Sequence, residues 1–239
     1  MVDPQIIELN KTISESMLSA FFKIILPIII IGGILDILKT LISKKKLPKW
    51  RGRVGEHFVT RKLRVFDEPD YKLDLIHYKI LTDLLLPSRG NTSETQIDQV
   101  VVSNYGIFCI ETKAYQGWIF GNANQEYWTQ VIFRYKKRFY NPLRQNFAHV
   151  KAIEDLLGPQ RLKAPIVSLV AFPYADKLKI SGTDSVGYTR DIVRKIETYT
   201  NIVYVDAERD KIFELLKNAN IVDKEVRNLH NKKVRELKS

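Results

Sequence analysis

The sequence predicts a mixed α/β domain, an α+β mixed sheet flanked by helices, with an apolar helix ahead of it. Three observations carry this. Short runs of β-branched and aromatic residues bounded by Asn, Gly and Pro recur through residues 78–133 and 165–172, as buried strands do. After them, apolar residues recur at helical spacing, as in Leu143, Phe147, Val150, Ile153 and Leu157. Ahead of them, Met17–Ile42 is the most apolar stretch. The element order is helix, three or more antiparallel strands, helix, strand, helix, strand, helix, which implies a sheet covered by helices.

Residues 1–17 form a polar lead carrying Asp3, Glu8 and Glu15, and residues 18–42 follow as a transmembrane or membrane-anchoring helix. Its uncharged core, Ile24–Leu35, is twelve residues long, whereas a bilayer needs about twenty. Leu18–Ile42 reaches that length only by including Lys23, Asp36 and Lys39. The lysines near the ends can snorkel; Asp36 argues for the alternatives, an interfacial helix or a buried soluble one. The acidic lead, with no small-residue cleavage site after the apolar stretch, argues against a signal peptide. A basic linker, residues 43–51, carries Lys44, Lys45, Lys46, Lys49 and Arg51. By the positive-inside rule that flank is cytoplasmic, which makes the protein single-pass with its large domain in the cytoplasm. Lys44–Lys46 also suit anionic lipid headgroups.

The domain itself is expected over residues 52–220, with a basic amphipathic helix over 221–239. A helix opens at Gly55-Glu56 with Val54, Phe58, Val59 and Leu63 on one face, and Asp67–Asp70 with Pro69 break it. Tyr78–Leu86 reads as a strand ended by a loop over residues 87–91. Gly117–Gly121 and Tyr127–Phe133 read as strands, each with a tryptophan. Asn141-Pro142 is a helix start, an Asn cap with Pro at the first position, and Gly158-Pro159 stop that helix. Its two faces are largely apolar or small, so it is expected to be covered on both sides, with Gln145 held inside. Pro165–Phe172 is a strand, Ser181–Gly187 a loop, Asp191–Tyr199 a helix, Ile202–Val205 a short strand and Ala207–Asn218 a helix. Val222, Val226, Leu229, Val234 and Leu237 form the last apolar stripe.

Charge is uneven. Of the net +11, residues 1–43 contribute −1 and the remaining 196 residues +12. A basic domain points to a polyanionic partner, nucleic acid or an anionic membrane surface, against plain solubility. One cysteine, Cys109, excludes an internal disulfide, and its place in an apolar strand makes it a core residue. No Walker loop, zinc spacing or Ser/His/Asp arrangement is present.

The centre of the domain is the run Gln96–Lys113. It reads as a hairpin, Gln96–Val102 and Ile107–Lys113 joined through Ser103-Asn104-Tyr105-Gly106. Three charges sit in these apolar strands: Asp98, Glu111 and Lys113. Charges rarely enter a sheet core without a partner or a task. Glu111 and Lys113 share a face because they are two apart. With a two- or four-residue loop, Asp98 lies opposite Glu111; a three-residue loop would turn it to the other face. Opposed carboxylates repel, so this parity predicts a divalent cation between them, against a buried structural ion triad as the alternative.

Gly55-Glu56, Gln96-Ile97-Asp98, Gly106-Ile107-Phe108-Cys109-Ile110-Glu111-Thr112-Lys113, Gly117, Trp128 and Asn141-Pro142-x-x-Gln145-Asn146 together resemble the nuclease-related domain family over residues 51–160. The resemblance implies a restriction-endonuclease-like core of the P-D-(D/E)-X-K kind. It makes Asp98 the motif aspartate, Glu111 and Lys113 the (D/E)-X-K pair, Glu56 the acid of the first helix and Gln145 a polar residue of the later helix. The family often has His where this chain has Gln99, which leaves a role for that neighbour in doubt. The implied function is a metal-dependent nuclease acting on nucleic acid, DNA first, at a membrane. The alternative is a non-catalytic module that binds nucleic acid or anionic lipid there. Hard carboxylate oxygens suit Mg²⁺ or Mn²⁺: Asp98 and Glu111 would hold the ion, Glu56 would join through water, and Lys113 would steady phosphate charge. Glu56 reads equally as an exposed acid in a helix's first turn, and Gln145 as a satisfied core amide. His149, one turn after Gln145, is a further candidate. Trp118 and Trp128 suit base stacking or core packing. Arg134, Lys136, Lys137 and Arg138, interleaved with aromatics, suit phosphate contact or a solvated hairpin.

Overall fold

A computed structural model describes residues 47–64, 78–88, 93–158 and 166–236, together with Lys23, Ile31 and Ile34. The proposed membrane helix (apart from those three residues), the lead, Lys44–Lys46, the break at Asp67–Asp70, Arg89–Asn91, Pro159, Pro165 and Leu237 lie outside the described residues. Among the described residues no helix is long and apolar enough to cross a membrane. The chain divides into two units, Met1–Arg51 and Gly52–Ser239. In the first, Ile31 and Ile34 are helical and more than half exposed, at 56% and 52%.

The second unit is a mixed α/β fold with two mixed sheets. Its central sheet has the order β1-β2-β3-β7-β9. The strands are β1 (Tyr78–Ser88), β2 (Ser93–Ser103), β3 (Gly106–Thr112), β7 (Ile166–Ala171) and β9 (Val186–Gly187). β1, β2 and β3 are antiparallel neighbours, whereas β3, β7 and β9 run parallel. The second sheet has the order β6-β5-β4-β8, from β4 (Trp118–Asn122), β5 (Tyr127–Ile132), β6 (Tyr135–Tyr140) and β8 (Lys177–Ser181). The five described helices are α1 (Leu47–Leu63), α2 (Pro142–Leu157), α3 (Thr189–Glu197), α4 (Asp206–Ala219) and α5 (Lys224–Glu236).

Side-chain alternation in β2 and β3 sorts the core into layers. Val100, Val102, Ile107 and Cys109 face α2 and α4, where Val150, Ile153, Ile212 and Leu216 meet them. Val101, Phe108 and Ile110 face the other way, onto Val59 and Leu63 of α1 and Ile192 and Ile196 of α3. A third cluster joins Ile119, Trp128 and Phe139 of the second sheet to Val170 and Phe172 at the end of β7. Gly121 makes that possible: a Cβ there would stand 2.4 Å from the Trp128 ring.

Four expectations are corrected. The strands form two sheets, because β4 pairs in parallel with β8, a strand hidden in what reads as a Lys-rich approach to the Ser181–Gly187 loop. β1 continues through Pro87 and Ser88, which pair with Glu94 and Ser93. Ile202–Val205 is not a strand; the N–H groups of Val203 and Tyr204 both donate to the Asn104 carbonyl, 2.8 and 3.1 Å away, which pins the segment to the β2–β3 turn. And α2 is covered on one broad face only, since Phe147 and Ala148 are exposed.

Asn141 caps α2 as expected, accepting from Leu143 N at 2.9 Å, while its amide donates to the carbonyls of Ala123 and Gln125 in the β4–β5 loop. Deeper in the helix, fully buried Asn146 donates to the carbonyls of Cys109 (2.9 Å) and Leu169 (3.0 Å) and accepts from Cys109 Sγ. Asn146→Ala would strand those buried groups. It is expected to cost about 2–3 kcal/mol in urea-unfolding free energy, where a purely packing role would cost less than about 1 kcal/mol.

Candidate active site

The β2–β3 register decides the site. Ser103 pairs with Gly106 and Gln99 with Ile110, so the loop is the two-residue Asn104-Tyr105. One step further along the same register, Asp98 lies opposite Glu111, on the face that α2 covers. The parity that the sequence predicts therefore holds.

Glu111 is buried and its carboxylate is held on both oxygens. Oε1 accepts from Lys113 Nζ (2.7 Å) and from Gln145 Nε2 (2.8 Å), and Oε2 lies 3.1 Å from His149 Nε2. Lys113 Nζ also donates to Gln145 Oε1 at 2.7 Å, closing a ring of three side chains. Thr95 Oγ1 lies 2.6 Å from His149 Nδ1; the tautomer with hydrogen on Nε2 satisfies both contacts. Burial by itself would raise the Glu111 carboxyl, but Lys113 and His149 outweigh it and hold it down at about 2. Burial likewise opposes the charge on Lys113, and Glu111 above all restores it, leaving the ammonium pKa raised.

Asp98 is in the opposite condition. Burial first, then the charges of Glu111 and Glu56, push its carboxyl well above the usual carboxylate range, although Oδ2 accepts the Thr112 N–H at 2.7 Å. Glu56 is also raised, by burial and then by Asp83 and Glu111. Gly55 lets α1 bring Glu56 there, since a Cβ on it would stand 2.6 Å from Ala114 Cβ, beside Lys113.

The site thus concentrates negative charge around one lysine. Among the described residues no group of three His, Cys, Asp or Glu side chains could hold a metal by itself; the two carboxylates that could share one are Asp98 and Glu111. That pair fits Mg²⁺ or Mn²⁺, which take one or two carboxylates and complete their shell with water and phosphate. Glu111 Oε1 already has two donors, so Oε2, with one, has the lone pair left for a cation. Glu56 is close enough to be felt electrostatically and suits contact through water.

The structure therefore brings Asp98, Glu111, Lys113, Gln145 and His149 together, with Glu56 at the edge. Trp128 is fully buried in the third cluster, a core residue. Arg134, Lys136, Lys137 and Arg138 fall on the β5–β6 hairpin of the other sheet and divide: Lys136 and Arg138 share one face, Lys137 takes the other, and Arg134 sits in the turn. Three residues escape the sequence reading. Thr95 and Thr112 carry no motif of their own. Gln99, left in doubt there, is buried on the face opposite Asp98; its Nε2 donates to the Glu56 carbonyl at 3.2 Å and its Oε1 accepts from Thr112 Oγ1 at 2.9 Å. It thereby ties α1 to the β3 strand that carries Glu111.

A mixed α/β domain with a D…E-x-K cluster on its central hairpin is the class of protein these features define. The chain belongs to the nuclease-related domain family, which matches residues 51–173. It is also similar to an uncharacterized protein of Bacillus anthracis, 37% identical over 193 residues that cover 79% of this chain and 86% of that relative. No solved structure matches it.

Proposed function

We propose that this protein is a metal-dependent nuclease, hydrolysing phosphodiester bonds with Mg²⁺ or Mn²⁺ at Asp98 and Glu111. The observation that carries the reading is the opposed, desolvated carboxylate pair with Lys113 bonded to one member. A buried ion triad built for stability would give each carboxylate a cation, whereas here Lys113 bonds Glu111 and Gln145 while Asp98 accepts the Thr112 N–H, as in a site that takes a further cation. When bound, the ion supplies Lewis-acid activation of water and phosphate. Lys113 offers a fixed positive charge to the phosphorane oxygens, as water forms the new P–O bond and the ester P–O bond breaks. Gln145 and Glu111 hold the Lys113 ammonium in place, and His149 and Thr95 hold Glu111. DNA is the nucleic acid we assign, and the +12 charge of residues 44–239 favours it as a polyanion.

Membrane attachment through residues 18–42, with the domain cytoplasmic, is part of the same proposal. Its support is the apolar stretch, the basic flank after it and the exposed helical Ile31 and Ile34. The test is incubation of the full chain, in a mild detergent, with labelled single-stranded DNA, duplex DNA and RNA, with Mg²⁺, Mn²⁺ or chelator. Metal-dependent products are expected. Salt-dependent binding with no product under any metal would make the protein a binding module, and binding to anionic vesicles alone a lipid module.

A further inference from the structure

The second sheet has one face on the core and one face in solvent, and the open face is unusual in what it carries. Register assigns it: Trp118 pairs with Val131 on one side and Lys177 on the other, and Phe120 with Thr129 and Lys179. Opposed residues share a face, so Trp118, Phe120, Lys177 and Lys179 stand together. Val131 pairs with Lys136 and Thr129 with Arg138, which extends the same face across β6. The neighbours between them, Ile119, Trp128 and Phe139, point into the third core cluster. On this open face the four strands present four cations and no carboxylate.

The cations and rings are paired. Lys177 and Lys179 place Nζ 5.4 and 4.9 Å from the Trp118 ring centre, and Arg138 lies 4.9 Å over Tyr127. Trp118 is nevertheless 44% exposed. Exposed rings cost solvation free energy and are rarely gathered on one sheet without a ligand to cover them. Rings for stacking alternating with cations for phosphates are what an unpaired strand needs, while a duplex hides its base faces and offers a flat surface only phosphate.

We propose that the open face of the second sheet, centred on Trp118, Phe120, Lys177, Lys179 and Arg138, docks a single strand of DNA. The proposal rests on the nuclease reading for the class of partner and adds the form of substrate. DNA is carried over from the nuclease reading; the face itself holds hydroxyls, on Thr129 and Tyr127, so the U20 arm of the experiment decides between the two sugars. The platform is also near the chemistry. Trp118 follows Lys113 by five residues, which limits their separation to at most about 18 Å of extended chain.

The experiment is fluorescence anisotropy of the full chain with labelled dT20, a 20-base-pair duplex and U20, in chelator and over a salt series. Wild type is expected to bind dT20 more tightly than the duplex or U20. Trp118→Ala with Phe120→Ala should weaken dT20 binding by about 10-fold or more, with Trp118→Phe restoring most of it. Lys177→Gln with Lys179→Gln should lower the salt slope by about 1.4, at roughly 0.7 per phosphate contact. Circular dichroism checks that each variant is folded. Unchanged binding in the aromatic variant, a duplex bound as tightly as dT20, or U20 preferred over dT20 would each overturn the proposal. The two readings fail separately: cleavage with Mg²⁺ and unchanged dT20 affinity in the variants removes the platform alone, whereas the expected binding with no cleavage removes the nuclease alone.

Discussion

Asp98→Asn is expected to lower metal-dependent hydrolysis by about 10³-fold or more, the equivalent of several kcal/mol of transition-state stabilisation, and at the same time to make the protein more stable. The two effects have one cause. Asn keeps the size of the side chain and an oxygen for the Thr112 N–H, and removes a charge that faces Glu111 and Glu56. The sign follows from linkage. Because the folded-state pKa of Asp98 is raised above the ordinary 3.8, the folded protein holds the proton to higher pH than the unfolded chain. Stability therefore falls as pH rises from that ordinary value through the folded pKa. Above that ordinary value the unfavourable burial of this acid works against folding, and Asn removes the penalty. Each kcal/mol gained raises Tm by about 2–4 °C in a domain of this size. Thermal denaturation of both proteins across pH 4–8 without divalent metal checks this, with the gap widening toward high pH. A variant less stable than wild type at pH 7 would mean that the carboxylate is structural.

Glu111→Gln is expected to do the reverse to stability while also ending hydrolysis. Glu111 is the partner of buried Lys113, so its neutralisation leaves an ammonium without a counter-charge. Breaking a buried pair from one side costs about 3–5 kcal/mol, a loss of the order of 10 °C in Tm. Here the pH dependence has the other sign. The Glu111 carboxyl is depressed from its ordinary 4.5 to about 2. Its contribution is fully present above 4.5 and is lost as pH falls toward 2. Urea unfolding at pH 7, repeated down to pH 2, should show that acid loss in wild type and not in Glu111→Gln. Equal stability of the two at pH 7 would remove Lys113 from the pairing described. Two carboxylates across one pair of strands, with opposite effects on stability, distinguish a poised site from a balanced ion cluster.

How much of this is legible in the sequence depends on the range of the physics. The hairpin is local: alternation along Gln96–Lys113 and a loop of Asn104-Tyr105 set the parity of Asp98 and Glu111, and nothing distant can change it without a slip in register. Gln145 and His149 are equally local, one turn apart on a helix whose cap and proline are plain. The second sheet is not local. β4 pairs with β8 across the whole of α2 and β7, and Lys177–Ser181, although it alternates charge and apolar residue as a half-exposed strand does, is five residues long with its partner far away in the sequence. Ile202–Val205 looks like a strand because it is β-branched, but its N–H groups are taken up by a turn carbonyl. Gln99 is silent because a buried glutamine announces no partner; only the fold shows that it reaches back to the Glu56 carbonyl.

The measurement that bears most directly on the site requires no knowledge of substrate. It is the thermal denaturation of the full chain and of Asp98→Asn, at pH 7.5, over a titration with Mn²⁺. A metal held by Asp98 and Glu111 stabilises the folded state by mass action, about 2.7 kcal/mol at one hundred times Kd. A saturating rise in Tm is expected for wild type and not for Asp98→Asn, even though the variant starts higher. The same Mn²⁺-dependent rise in both proteins, or none in either, would contradict it.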